Sequence, residues 1–283
     1  MTLSVRWWGT RGSIPTPGAE TVRYGGNTPC VAVSAGTDTI ILDAGTGIRV
    51  LGRELVSDEG EAPRRLTVLL SHTHWDHIQG LPFFAPLYRA GNHITILGPR
   101  QPGPSLESVI HGQMAPAVFP VPAAALASRL EVSEIDPGEH EIGGFSVRAM
   151  TLCHPGATLG YAIAPKSGGP RFSYLTDNEL GAAGPDQRRQ FVRFLQGSDT
   201  LAHDAMYFDA ELAGRVGWGH SSAAEAVGLA LEAGVRRLVL FHHAPSHDDA
   251  TLERFLEEAE RSRVRHGGSL DVTIAAEGHT LRC

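Results

Sequence analysis

The chain has 283 residues, of which 42% are apolar and 19% charged, and this composition excludes a disordered protein. Its formal net charge is −7 and Lys166 is its single lysine, so long nucleic acid is an unfavourable nonspecific partner. The three cysteines, Cys30, Cys153 and Cys283, include no Cys-x-x-Cys pair and cannot close a disulfide framework, which favours a reducing compartment. Histidine is unusually frequent, with 14 residues that are unevenly spread along the chain.

The N-terminal segment lacks a basic region followed by an apolar core, so we expect no signal peptide. No apolar run approaches the roughly 18 residues that a membrane-spanning helix needs. These two features predict a cytoplasmic protein without a membrane segment.

Short apolar runs separated by glycine and proline predict strands at residues 3–8, 30–34, 39–42, 66–70, 94–97, 145–152, 161–164, 172–175 and 238–241. Amphipathic periodicity and capping residues predict helices at 46–55, 186–195, 221–232 and 248–262. Strands and helices do not alternate strictly, so we expect two sheets between helix layers. We find no linker or internal repeat, and we therefore predict one domain over residues 1–283.

The densest group of metal-ligating side chains is the segment 71–77, Ser-His-Thr-His-Trp-Asp-His, which directly follows a predicted buried strand. His72 and His74 are two apart in extended backbone and can project to the same side. Asp76 and His77 enter the next turn and can reach a second point nearby. Imidazole and carboxylate ligands suit Zn²⁺ or, with more oxygen ligands, Mn²⁺ or Fe. A metal centre is favoured over a solvated histidine-rich loop.

The pattern His-x-His-x-Asp-His after a strand resembles the signature of the metallo-β-lactamase fold. Over nearly the whole chain the likeness is to the tRNase Z-like phosphodiesterase branch, whose opening glycine turn resembles residues 8–15 and whose first motif resembles residues 41–45. This resemblance implies an α+β fold, a four-layer αββα sandwich of two mixed sheets packed between helices. It also implies a metal site at one edge of the sheets.

The resemblance implies three more metal ligands, each at a strand end: His154, Asp177 and His242. His243 is adjacent to His242 and is the alternative for the last position. Two divalent ions, in the first place Zn²⁺, are then expected. His72, His74 and His154 would surround one ion, Asp76, His77 and His242 the other, and Asp177 would be shared. A hydroxide between the ions would be the nucleophile, and Asp76 is expected to take part in catalysis too.

A second pair of motifs resembles the proton-donating machinery of the same branch. His203-Asp204-Ala205-Met206 resembles its His-Glu-Ala-Thr motif, and Gly219-His220-Ser221-Ser222 its His-Ser-Thr motif. His203, Asp204 and His220 are therefore implied as catalytic residues. His220 would protonate the leaving alkoxide and Asp204 would orient it. Asp204 stands where the family usually has Glu, and Ser221 or Ser222 can also cap a helix.

Only 22 residues separate His154 from Asp177, which leaves no room for the tRNA-gripping arm that RNA-processing members carry there. Together with the net charge, this favours a small, cyclic-nucleotide-like phosphodiester as substrate and disfavours long nucleic acid. Cleavage of a lactone, β-lactam or thioester is the alternative. Less favoured are tRNA 3′-processing and a non-catalytic metal-binding sensor. The relatives further suggest a homodimer.

Several neighbouring residues have two interpretations. Asp43 can orient a ligand histidine or end a strand at a turn. Arg11 can bind a phosphate or form a surface ion pair. The aromatic residues in and beside the histidine motif can line a pocket or stack on a base, although core packing is the more frequent role of such side chains: Trp75, Phe83, Phe84 and Tyr88.

Overall fold

The computed structural model describes residues 2–57 and 63–283. Two mixed seven-stranded sheets pack face to face, with helices on their outer faces. The predicted α+β, four-layer αββα sandwich is therefore confirmed. In the described ranges no helix is long and apolar enough to cross a membrane.

The first sheet contains strands β1 (Ser4–Gly9), β2 (Cys30–Ala35), β3 (Asp38–Leu42), β4 (Arg65–Leu69), β5 (His93–Gly98), β6 (Arg129–Glu134) and β14 (Thr280–Arg282). Their spatial order is β14-β1-β2-β3-β4-β5-β6. The run from β3 to β6 is parallel, and the pairs on the β14 side are antiparallel.

The second sheet contains β7 (Gly138–Ile142), β8 (Phe145–Thr151), β9 (Leu159–Pro165), β10 (Phe172–Leu175), β11 (Thr200–Asp204), β12 (Arg237–Phe241) and β13 (Asp271–Ile274). Their order is β13-β12-β11-β10-β9-β8-β7. Strands β10 to β13 are parallel, whereas β7, β8 and β9 form an antiparallel meander.

Helices cover both outer faces: α1 (Gly47–Ser57), α2 (Trp75–Ile78), α3 (Leu106–Gly112), α4 (Pro185–Leu195), α5 (Asp209–Leu212), α6 (Ala223–Glu232) and α7 (Asp249–His266). Helices α1 and α3 pack on the first sheet, and α4, α6 and α7 pack on the second. Between the sheets lies an apolar core in which Trp7 contacts Phe172 and Phe241, with ring centroids 6.0 and 5.6 Å apart.

All predicted strands and helices are present, with ends shifted by a few residues. The elements without a sequence prediction are β6, β7, β11, β13, β14 and the short helices α2, α3 and α5. Strand β7, Gly-Glu-His-Glu-Ile, is polar because it lies at the edge of its sheet. Strand β11 is buried throughout, but it ends in the polar residues His203 and Asp204. These two residues interrupt the apolar pattern by which a buried strand is predicted.

The parallel strands place their carboxyl ends at one shared edge of the sandwich. Strand β4 leads into the histidine motif, β10 into Asp177 and β12 into His242, while β11 ends at Asp204. Strand β8 also ends at this edge, and Leu152 and Cys153 connect it to His154. Residues far apart in sequence therefore meet because of strand direction alone.

Candidate metal centre

One side of the site consists of three histidines and one carboxylate oxygen. His154 Nε2 lies 3.1 Å from His74 Nδ1 and 3.8 Å from Asp177 Oδ2. His72 Nε2 lies 3.7 Å from the same Asp177 oxygen. His72 is buried whereas His74 is exposed, so the site opens to solvent on the side of His74.

The other side is a compact group around the second oxygen of the same carboxylate. Asp177 Oδ1 lies 3.2 Å from His77 Nε2 and 3.3 Å from His242 Nε2. Asp76 Oδ2 lies 3.3 and 3.1 Å from the same two nitrogens. The two oxygens of Asp177 therefore face two different ligand groups.

The spacing of these atoms fits two divalent ions. Ligand atoms bound to one Zn²⁺ at about 2.0–2.1 Å in tetrahedral geometry lie about 3.3 Å from one another, and the distances here scatter around that value. His72 Nε2 is buried and has no hydrogen-bond partner among the described residues, as expected for a nitrogen whose lone pair is kept for a metal. The His and Asp clusters are thus suited to a dinuclear metal site.

Sharp backbone turns direct these side chains into the site. Within the described ranges, the non-glycine residues with positive φ are Ser13 (64°), Asp43 (60°), Asp177 (53°) and His242 (64°). Asp43, Asp177 and His242 each follow the end of a strand, and Asp and His tolerate this left-handed conformation better than most residues. Such strain, on the order of 1–3 kcal/mol per residue, is typical of functional sites.

Asp43 supports the second group from behind, which agrees with its predicted orienting role. Its Oδ2 lies 2.9 Å from His77 Nδ1 and 2.8 Å from the Tyr174 hydroxyl, which donates to it. Its Oδ1 accepts the Ser71 backbone N–H at 2.7 Å. The carboxylate fixes the ring of His77 with Nε2 directed at Asp177, as outer carboxylates do for metal-binding histidines.

On the first side of the site the histidines are neutral. Burial lowers the pKa of His72, His74 and His154, so each ring keeps a free lone pair at neutral pH. His154 Nδ1 lies 3.0 Å from the Gly219 carbonyl oxygen, to which it donates. This hydrogen bond leaves Nε2 as the nitrogen available to an ion.

His77 is in a different electrostatic environment. Burial opposes its protonation, but the carboxylates of Asp76, Asp177 and Asp43 outweigh that effect and raise its pKa well above the usual value. Burial likewise opposes ionisation of Asp177, yet His242 and His77 hold its pKa well below the ordinary range. Without an ion, a proton on His77 offsets part of the negative charge.

The predicted acid pair adjoins the cluster. His220 Nδ1 lies 2.6 Å from Asp204 Oδ2, and the His220 ring stacks on that of His242 at a centroid distance of 5.1 Å. Burial opposes the charge on His220, but the attraction and hydrogen bond of Asp204 dominate and raise its pKa to about 9. The shorter Asp204 side chain therefore reaches His220 directly.

His203, by contrast, does not face the cluster. Its Nδ1 lies 2.6 Å from the Asp204 carbonyl oxygen and its Nε2 lies 3.1 Å from the Asn178 side-chain nitrogen. The ring is fully buried beneath the site. No direct contact with the cluster therefore supports the catalytic role that was predicted for His203. His243 also points away, because its Nε2 donates to the Ala275 carbonyl at 2.9 Å.

Arg11 is a structural anchor and not a phosphate ligand. Its side chain is fully buried, and it donates to the carbonyl oxygens of Gly25, Ala244 and His247. Its guanidinium also forms an ion pair with Asp249 at 4.0 Å, but this pair starts from inside the protein and not from the surface as predicted. These bonds tie the opening turn to the loop after His242.

The aromatic residues after the motif also differ from expectation. Phe84 lies in the core as predicted, but the side chains of Trp75 and Phe83 are 77% and 58% exposed. Sequence reasoning did not identify Trp218, which is 58% exposed two residues before His220. It also missed Asn178 and Glu179, whose position directly after Asp177 was the available signal.

Comparison with known proteins agrees with this geometry. The sequence model of the Beta-lactamase superfamily domain matches residues 38–243. Ribonuclease Z of Gemmatimonas aurantiaca is 28% identical over 330 aligned positions, covering 98% of each chain.

Solved structures resemble the chain over almost its full length. The metallo-beta-lactamase fold protein YhfI of Bacillus subtilis superposes with a TM-score of 0.70 at 19% identity, covering 100% of both chains. The short form of human tRNase Z gives 0.66 at 19% identity, covering 98% of both chains. A diphosphatase from the PhnP family gives 0.67 at 16% identity, covering 99% of this chain and 97% of that one.

This chain belongs to the β-lactamase superfamily, since the family model spans most of its length. The resemblance stated from the motifs is confirmed, and the protein is a metal-binding hydrolase of the metallo-β-lactamase fold. The single domain, the homodimer and the cytoplasmic location stay predictions.

Proposed function

We propose that the protein is a dinuclear phosphodiesterase that hydrolyses small phosphodiesters of the cyclic-nucleotide type. The observation that carries the proposal is the His220–Asp204 pair beside two metal-ligand groups that share Asp177. A proton donor matters most where the leaving group is an alkoxide of high pKa, which is the case for a phosphodiester.

In this proposal His72, His74 and His154 would hold one ion and Asp76, His77 and His242 the other, and Asp177, whose two oxygens face the two groups, would contribute to both. Zn²⁺ is the first expectation, since the donor set is rich in imidazole. Bound there, two divalent ions supply an activated water and neutralise charge on the phosphate. Asp43 and the Gly219 carbonyl orient His77 and His154.

His220 is placed to act on the leaving oxygen. Its Nδ1 is engaged by Asp204, so Nε2 carries the proton that can be transferred outward. Asp204 keeps the ring charged and in one orientation, and it is itself fixed by the Met206 backbone N–H at 3.0 Å. The Asp204–His220 unit therefore delivers a proton without using a metal ligand.

The short segment between His154 and Asp177 favours a small substrate. Strands β9 and β10 take up half of that segment and leave connections of at most six residues, so it has no length for an extension. The chain's only lysine lies there, at the far end of β9, and it pairs with Glu141 at 2.8 Å. The Gemmatimonas relative aligns over 330 positions while this chain has 283 residues, so that protein carries segments without a counterpart here.

Exposed apolar side chains favour a substrate with an aromatic part. Ile14, Trp75 and Trp218 are 58%, 77% and 58% exposed, and each is adjacent in sequence to a residue bonded into the site. Ser13 donates its N–H to Asp76, and the neighbours of the two tryptophans are His74 and Gly219. A nucleobase can stack on such side chains.

Processing of precursor tRNA is the second candidate, because relatives of this chain bear the name ribonuclease Z. The test is a panel given to the Zn²⁺-loaded protein: 2′,3′- and 3′,5′-cyclic nucleotides, a precursor tRNA, and a lactone and a thioester. Hydrolysis of a cyclic nucleotide at a kcat/KM well above the others is expected. Preference for the precursor tRNA, or for the lactone or thioester, would overturn the proposal.

A further inference from the structure

Glu179 is a buried acid that the proposed reaction does not use. Glu179 is only 8% exposed, and it lies two positions after Asp177 in the sequence. Each carboxylate oxygen accepts one backbone N–H: Oε1 from Gly217 and Oε2 from Gly219, both at 2.8 Å. The carboxylate therefore holds the loop that leads to His220 in place through two hydrogen bonds.

The same loop lies directly against His154. The Gly219 carbonyl oxygen accepts from His154 Nδ1 at 3.0 Å. Gly219 has φ +89°, and a Cβ atom built there would come within 1.9 Å of His154 Nδ1. Only glycine allows this close approach, so the position of residue 219 decides where the His154 ring can lie.

Glu179 also fixes the other side of His154. Its own backbone N–H donates to the Cys153 carbonyl oxygen at 2.7 Å, and the neighbouring Asn178 Oδ1 accepts the Cys153 N–H at 3.0 Å. His154 is thus held through the residue before it and through its ring nitrogen. Both attachments originate in the two residues after Asp177.

We infer that Glu179 is a positioning residue that couples the metal ligand His154 to the proton donor His220 by clamping the loop between them. The inference rests on the ligand roles given under the proposed function. The carboxylate holds Gly219 by its N–H, and the carbonyl oxygen of the same residue accepts from His154 Nδ1 and thereby leaves Nε2 available to an ion. Loss of the clamp should therefore weaken one ion site and leave the other intact.

Glu179→Gln tests the clamp with little change in volume. The amide nitrogen cannot accept a backbone N–H, so one of the two bonds is replaced by two opposed donors. Groups bonded directly to a ligand histidine typically contribute about 10- to 100-fold to metal affinity. Glu179 acts through Gly219, so a loss of up to that size is expected for one of the two ions. Glu179→Asp, which is one methylene shorter, provides a milder second variant if the first does not fold.

Glu225→Gln is the matched control. Glu225 is also a partly buried acid in the same region, and it accepts the Ser222 N–H at 3.0 Å in the capping box of α6. It has no bond to the loop at Gly219. Its loss should lower helix stability without changing metal affinity.

The measurement is titration of the metal-free wild-type protein and each variant with Zn²⁺ against a competing chromogenic chelator. Wild type and Glu225→Gln should bind two ions with the same two affinities, and Glu179→Gln should lose affinity for one ion only. The positioning role of Glu179 would be contradicted if the Glu179 variants kept wild-type affinity for both ions, or if the control lost as much affinity as they do. Neither result would contradict the proposed metal site. Failure of the wild type to bind two ions would overturn both.

Discussion

Nδ1 of His220 lies 2.6 Å from Oδ2 of Asp204, and Asp204 is fully buried at the end of its strand. This pair joins two motifs, and 15 residues lie between Asp204 and His220 in the sequence. The carboxylate keeps a proton on His220, whose ring stacks on that of His242, so the proposed site would combine ion binding with acid catalysis. Such a combination is what the proposed cleavage of a phosphodiester needs, because its leaving alkoxide must be protonated.

His220→Ala should lower kcat on a 2′,3′-cyclic nucleotide about 10²- to 10⁴-fold, the usual contribution of a general acid. The loss should be much smaller for bis-p-nitrophenyl phosphate, because nitrophenolate leaves without a proton. Both bound ions should remain, as shown by elemental analysis. Equal losses on the two substrates would argue that His220 serves the fold and not the leaving group.

Asp204→Asn should move the alkaline limb of the kcat–pH profile to lower pH. In the native protein the pKa of His220 is raised to about 9, so the acid form is present below that pH and is lost above it. Without the carboxylate charge, burial lowers the pKa and the acid form is lost earlier. Steady-state rates on a cyclic nucleotide from pH 5 to 10 measure the shift, and an unmoved limb would contradict it.

Zinc binding should release protons and become tighter as pH rises. The pKa of His77 is raised well above its ordinary value by Asp76, Asp177 and Asp43, although burial opposes this. An ion needs the neutral ring, so the proton must leave when the ion binds. Calorimetry of Zn²⁺ binding at pH 7 in two buffers of different ionisation enthalpy counts the protons, and a count of zero would contradict this protonation state.

Trp75→Ala and Trp218→Ala should each raise KM for a cyclic nucleotide, because stacking on an aromatic side chain contributes about 1–3 kcal/mol per base, or roughly 5- to 150-fold. KM for a cyclic ribose phosphate that lacks a base should change less in both variants, since that compound has no aromatic ring to stack on a tryptophan. Val264→Ala, an exposed apolar residue on α7, is the control. Unchanged KM for the nucleotide in both tryptophan variants would remove them from substrate binding.

The fold and the centre of the site could be predicted from the sequence because both depend on short local patterns. The segment around His72 to His77 combines an apolar strand with closely spaced ligands, and the later ligands each follow an apolar run. The choice of His242 over His243 agrees with the geometry, since the left-handed turn at residue 242 points that ring into the site. Each of these patterns can be recognised in the sequence without knowledge of the tertiary structure.

The rest depended on contacts that no local pattern encodes. Arg11 lies in a glycine-rich turn that looks exposed, yet the chain 233 to 236 residues later folds over it and supplies carbonyl acceptors. Trp75 looks like a core residue, but as the first residue of α2 its side chain is 77% exposed. Glu179 has no motif of its own and gains its part only from the distant loop at Gly219.

The most direct test of the central claim is anomalous diffraction from crystals of the Zn²⁺-loaded protein, with peak positions and occupancies refined at the zinc edge. Two ions are expected, one beside His72, His74 and His154 and one beside Asp76, His77 and His242, each contacted by a different oxygen of Asp177. A single ion in fully loaded crystals, or two ions that do not share Asp177, would contradict the dinuclear site.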